Sequence, residues 1–230
     1  MIDPLKVLVS TPAMDGKVEC MYAGGLMAIA AAHMIGNVVF LGSVSDVALA
    51  RNLIANGFIK NSTFEWLVCI DADIGFSAED FRILMDYPKI NAAMNDDDLE
   101  TAANGGESNP EGTTLNEYGE ALIVTAEYSR KVESLEPARF GLGFTRIHRS
   151  VFERLEEAKD DEGTPRVGQF SHQGQLYSHF FPNGPGFHGQ YFGEDTGFFH
   201  LCRLCGITPR VEQRTRLVHV GRKIYPYYGG

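Results

Sequence analysis

The chain has 230 residues, 44% of them hydrophobic and 22% charged, the proportions of a folded domain with room for one sizeable core. Its formal charge of −10 works against broad adhesion to phosphate backbones or anionic membranes. Of the four cysteines, Cys20, Cys69, Cys202 and Cys205, only the last two have metal-like spacing. They also share a face of a helical pattern, which favours packing, so reduced thiols and a cytoplasmic location are expected.

The opening MIDPLKVLVS lacks the basic and apolar regions of a secretory leader. LKVLVS reads as a first strand, ending at the turn TPAMDG. VECMYAGGLMAIAAAHM follows as a helix rich in small residues, and NVVFLG as a second strand. From Cys20 to Ser45 no acidic or basic side chain occurs apart from His33, a length that could span a bilayer. Gly24, Gly25, Gly36 and Gly42 interrupt it, and it divides into a helix and a short strand. A buried helix and strand are expected, with no membrane anchor.

SVSDVALARNLIANG carries helix punctuation: Ser45 or Asp46 can cap it, Val47, Ala50, Leu53 and Ile54 form a stripe, and Gly57 can end it. FEWLVCI is apolar throughout, as expected of a strand covered on both faces. SAEDFRILMD is a short helix with Ser77 at its cap, Asp80 three residues on, and Pro88 beyond its end. Alternating strands and helices imply an α/β fold with a mostly parallel sheet flanked by helices.

Residues 95–120 break the pattern, being polar, acidic and rich in Gly and Asn; they read as a long loop in which Asp96, Asp97 and Asp98 form a solvated run. ALIVTAEY restores structure, and RFGLGFTRIHRSVFERLEEA reads as a glycine-interrupted strand running into a helix with a capping box at Ser150 and Glu153. Residues 160–192 form a second loop, rich in glycine, histidine and aromatic residues. EDTGFFHLCRLCG is the last helix, closed by Gly206, and TRLVHVG the last strand. No repeat or clean linker divides the chain, so residues 1–230 are read as a single domain.

The chemistry concentrates at LVCIDADIGFS. Positions i and i+2 of a strand project to one face, so Asp71 and Asp73 can converge just past the carboxyl end of the third strand. Ligands of open α/β sheets bind at that end. Two hard oxygen donors there suit Mg²⁺ or Mn²⁺, which take further ligands from water and substrate phosphates. Glu194 and Asp195 begin the last helix, where they either complement the helix dipole or offer a general base. His219, in LVHVG, is either structural or a third metal ligand. Arg51, among the apolar residues of VALARNLIA, could reach the acidic centre and pair with Asp71 or a phosphate. His172, His179, His188 and His200 are irregularly spaced and are assigned no metal role.

In order, STPAMDGKV, a helix with ARN, WLVCIDADIGFSAEDF, FGLGFTRIHRSVFERL, YFGEDTGFFHLCRLCG and LVHVG resemble the GT-A-fold nucleotide-sugar glycosyltransferases, especially compact forms from bacteria, phages and large viruses. The likeness covers most of the chain outside residues 95–120 and 160–185. It implies a Rossmann-type GT-A-like domain holding a Mn²⁺ or Mg²⁺ ion against the diphosphate of a UDP- or GDP-type sugar donor. Asp73 would be the direct metal ligand, with Asp71 facing the ribose or a metal-bound water and His219 completing the set. Thr11 and Pro12 would border the nucleotide, Arg51 would steady the acidic pair or the diphosphate, and Asp195, with Glu194 beside it, would be the base.

The acidic helix start is common in inverting members and the terminal HxG in retaining ones, so both stereochemical outcomes stay open. The acceptor is open among a glycan, a protein, a small molecule and a modified DNA base. A non-catalytic nucleotide-sugar or glycan-binding module is the alternative from another class. A phosphatase using the first aspartate as nucleophile is disfavoured by Gly75, and a nucleotidyltransferase by the lack of a basic glycine-rich N-terminal signature.

Overall fold

A computed structural model describes residues 2–86, 121–129, 139–185, 191–220 and 224–226. The whole polar stretch 95–120 with its acidic run Asp96–Asp98, Pro88 and His188 lie outside the described residues. The first half runs β1 (Val7–Ala13), α1 (Cys20–Ala31), β2 (Asn37–Gly42), α2 (Val47–Lys60), β3 (Trp66–Ile70), β4 (Ile74–Gly75) and α3 (Ala78–Met85). Then come β5 (Ile123–Thr125), β6 (Tyr128–Ser129), β7 (Arg139–Phe140), β8 (Phe144–His148), α4 (Arg149–Glu157) and the hairpin β9 (Gly168–His172) with β10 (Gln175–His179). The end comprises β11 (Gly184–Pro185), β12 (Tyr191–Phe192), α5 (Glu194–Leu204), β13 (Arg210–Val211), β14 (Val218–Val220) and β15 (Ile224–Pro226).

The central sheet has the order β13-β5-β8-β3-β1-β2. β1 pairs in parallel with β2 and β3, and β5 with β13, while β8 runs antiparallel to both its neighbours. This is a mixed α/β domain with a mostly parallel central sheet flanked by helices. The two-residue period of the strands sorts their side chains onto the two faces. Val7, Val9, Trp66, Val68 and Ile70 pack with Tyr22 and Ile29 of α1 and Phe81 and Leu84 of α3. Leu8, Leu67 and Cys69 face Ile54 and Phe58 of α2, Val151 and Phe152 of α4, and Phe198 of α5. Each fully buried Leu, Val, Ile or Phe side chain contributes about 1.5–3 kcal/mol relative to exposure. Cys202 belongs to this second core and Cys205 packs against it, and all four cysteines are free of disulfides.

Several local readings change. β1 runs through the expected turn, because Thr11, Pro12 and Ala13 pair with Phe40, Leu41 and Gly42. Its pairing with β3 stops at Ser10, so a proline beyond that point does not break a central ladder. The expected burial of the uncharged stretch from Cys20 holds for only one face. Tyr22, Gly25 and Ile29 of α1 are buried, but Met27 is 71% exposed, and β2, the edge strand of the sheet, has no buried residue. α2 is capped by Asp46, as expected, but continues past Gly57 to Lys60, its last turn anchored by buried Phe58.

α3 has the expected capping box of Ser77 and Asp80. α4 lacks its expected one: β8 runs straight into the helix, so His148 is the cap and accepts the Ser150 N–H through Nδ1 at 3.3 Å. The loop expected over residues 160–192 contains the β9–β10 hairpin, turned at Gln173 (φ 49°) and Gly174 (φ 76°), both left-handed. Among the described residues no helix is long and apolar enough to cross a membrane.

α5 approaches the segment after β10 so closely that a Cβ on Gly197 would collide with the Pro182 carbonyl oxygen, while lying 3.0 Å from Phe192 Cε2. Gly197→Ala is expected to cost about 3 kcal/mol through this overpacking. Gly24→Ala on α1, with nothing within 4 Å, is expected to gain about 0.5–1 kcal/mol of helix propensity. Urea midpoints of the two variants, shifting in opposite directions, check the pair.

Candidate active site

The site forms where β3 runs out of sheet. Asp71 follows Ile70 directly, its N–H donating to the Gly143 carbonyl at 2.9 Å. Arg51 rises from the buried face of α2 with its side chain only 3% exposed. Its Nη2 donates to Asp71 Oδ1 at 2.9 Å, Nη2 lies 3.7 Å from Asp195 Oδ1, and Nε lies 3.6 Å from Glu194 Oε1. One guanidinium thus joins the end of β3 to the start of α5. Burial works against its charge, but Asp71 and then Asp195 outweigh it and hold Arg51 well above the usual arginine range.

The cluster is crowded with negative charge. Burial first, then Glu194 and Asp71, push the Asp195 carboxyl up to about 6, against opposing help from Arg51 and the Leu142 backbone hydrogen bond. Arg51 Nε and Nη1 and Asp195 Oδ1 are buried and have no hydrogen-bond partner among the described residues. Buried groups are rarely left in that state, and perturbed, under-satisfied clusters concentrate where chemistry is done.

Asp73 faces a different neighbour. β14 pairs antiparallel with β4, placing His219 opposite Ile74, and the Val220 N–H donates to the Asp73 carbonyl at 2.8 Å. His219 Nε2 lies 2.8 Å from Asp73 Oδ2, with the two side chains 49% and 44% exposed. Residues 146 positions apart in sequence therefore meet at one edge of the site. The expected trio is not assembled, because Asp71 turns to Arg51. Among the described residues no three His, Cys, Asp or Glu side chains gather into a ligand group. The Asp73–His219 pair nonetheless fits a divalent cation: a carboxylate oxygen and an imidazole nitrogen at 2.8 Å can share one ion, and their exposure leaves room for water and phosphate oxygens.

Thr11 and Pro12 are both buried in β1, and the Thr11 hydroxyl is spent on a hydrogen bond with Tyr22. Two groups without a motif also shape the site. Asn52 and Asn56, on α2 with Arg51, clamp the chain at the end of the β9–β10 hairpin. Asn52 exchanges hydrogen bonds with the Phe181 backbone at 3.3 and 3.0 Å, and Asn56 with Ser178 at 2.8 and 2.9 Å. Amides at i and i+4 on an otherwise buried helical face were the signal for such a clamp. The second group is Glu127, whose Oε2 accepts the Gly143 N–H at 2.6 Å.

No known protein-family model matches the chain, and no curated protein matches it. Among solved structures it is similar to the crystal structure of A197 from STIV, at 16% identity over 98% of this chain and 95% of that one, with a TM-score of 0.47. At that level the likeness carries no functional argument.

Proposed function

We propose that the chain is a metal-dependent glycosyltransferase that moves a sugar from a UDP- or GDP-type donor to an acceptor hydroxyl. The observation that carries this reading is Arg51, one buried guanidinium gathering Asp71, Glu194 and Asp195 at the carboxyl end of a parallel strand, beside the Asp73–His219 pair. Asp73 and His219 would hold a Mn²⁺ or Mg²⁺ ion. Such an ion, when bound, supplies Lewis-acid stabilisation of negative charge on a departing diphosphate.

The chain's own groups do the rest. Arg51 fixes Asp71 and offsets the carboxylates around it. Asp195, at the start of α5 and with its carboxyl raised to about 6, is ionised at neutral pH yet basic enough to take the proton of an acceptor hydroxyl. Glu194 beside it keeps that basicity high. Asn52 and Asn56 hold the backbone at Phe181 and Ser178, and the Phe181 ring stacks at 4.8 Å on Phe198 of α5, the helix that carries the base.

Thermal unfolding with a panel of nucleotide sugars, with and without Mn²⁺, tests this reading. A donor at about 100 times its Kd should stabilise the protein by about 2.7 kcal/mol. The metal-dependent part of that gain should vanish in Asp73→Ala and His219→Ala. Absence of stabilisation by every donor with metal present would overturn the reading, and stabilisation without turnover would turn it toward a binding module.

A further inference from the structure

Glu127 stands just after β5, and its backbone is pinned on both sides. Its N–H donates to Thr125 Oγ1 at 3.1 Å, and its carbonyl accepts from the Gly141 N–H at 2.8 Å. The carboxylate then folds into the arch of residues 141–143. A Cβ on Gly141 would meet Glu127 Oε2 at 2.5 Å; one on Gly143 would meet the same oxygen at 2.6 Å and Asp71 Oδ2 at 2.9 Å. The two glycines are bare because carboxylates occupy the space where side chains would stand. Leu142 between them is fully buried and fastens the arch to the core.

This arch touches both halves of the site. The Gly143 carbonyl accepts the Asp71 N–H at 2.9 Å, and Phe140, just before the arch, holds its ring 5.1 Å from that of Phe199 on α5, the helix that carries Asp195. Burial and the neighbouring Asp71 oppose the charge of Glu127 and push it up to about 7, so what the arch takes from this side chain is a hydrogen-bond acceptor at the right reach rather than a charge.

We infer that Glu127 is a positioning residue: its carboxylate seats the 141–143 arch, and the arch in turn sets Asp71 and Asp195 in register with each other. The geometric part stands by itself; its catalytic consequence rests on the glycosyltransferase reading above.

Amide hydrogen exchange on the whole chain separates the two. In Glu127→Ala, protection at Gly143 and Asp71 is expected to fall by about tenfold or more while Val9 and Val68 in the central strands keep theirs. Glu127→Gln, whose side-chain carbonyl can still accept the Gly143 N–H, should restore the protection. Glu127→Asp, one carbon shorter with the charge retained, should lose it, and it serves where the alanine variant fails to fold. Donor turnover should follow the same order, low in the Ala and Asp variants and recovered in Gln.

Unchanged protection at Gly143 and Asp71 in the Ala and Asp variants would overturn the inference, as would an equal loss at Val9 and Val68. The expected exchange pattern in a protein that turns over no donor would sustain the arch and overturn only the glycosyltransferase reading.

Discussion

Arg51→Met is expected to destabilise the protein by about 3–5 kcal/mol, the usual cost of removing one partner from a buried ionic cluster. Methionine fills much of the arginine stem's volume, so the loss is one of charge and hydrogen bonding rather than of packing. It strands Asp71, Glu194 and Asp195 with no cation inside 4 Å among their described ion-pair partners. For a chain of this length each kcal/mol moves the melting temperature by roughly 2–4 °C, so a fall of about 6–20 °C is expected.

The penalty should shrink as pH falls from 8 to 5. Asp195, already raised by burial to about 6 and now without the cation that lowers it, binds its proton more tightly in the variant's native state than in its unfolded state, and protonation relieves the repulsion. Arg51→Lys should recover only part of the loss, since an ammonium cannot present the planar fork that spans β3 and α5. Urea unfolding at the two pH values measures both effects. A loss under about 1 kcal/mol at pH 8 would mean that the cluster behaves as an exposed ion pair.

The residues that were legible in the sequence were those that contradict their local pattern. Asp71 and Asp73 end an apolar strand abruptly and Arg51 interrupts an apolar stripe, a pattern in which each charge asks for a partner, although the structure buries Arg51 and leaves Asp73 44% exposed. The alternation of strands and helices likewise led to the mostly parallel sheet and its two covered faces. Glu127 was not legible in this way. TAEY offers no spacing, and only the antiparallel pairing of β5 with β8 brings residue 127 against residues 141–143. The available signal was indirect: two glycines separated by one buried leucine in a strand-like segment imply that something large presses on one face.

His219 comes within 2.8 Å of Asp73 through a small sheet, β15-β14-β4, separate from the central one, which no spacing in the sequence marks. The α4 cap failed for a complementary reason. The helix begins earlier than expected, at Arg149, so Ser150 already lies inside it and His148, the last residue of β8, is the cap.

Asp195→Asn is expected to reduce donor-to-acceptor turnover by about 10²–10⁴-fold while leaving the fold at least as stable as wild type near pH 8. Asparagine preserves the side chain's size but cannot take a proton from an acceptor hydroxyl. The stability half follows from the direction of the pKa change. In the native protein the carboxyl is raised from its ordinary 3.8 to about 6, so between those values the native state holds the proton more tightly than the unfolded chain. The stabilisation linked to that proton is complete below the unfolded value and is lost as pH rises through 6. At pH 8 wild type has therefore lost what the neutral asparagine keeps. Measured without added metal, the stability difference between variant and wild type should widen in the variant's favour from pH 4 to 7 and then level off.

Wild-type turnover should run the other way, rising as Asp195 ionises through pH 6. A residue that served only to hold α5 in place would give the opposite pairing, with stability lost on substitution and no rise in turnover through pH 6. If Asp195→Asn turns over donor within about tenfold of wild type, the base lies elsewhere. Glu127, the other carboxylate among the described residues that is raised toward neutrality, would then be the group to examine.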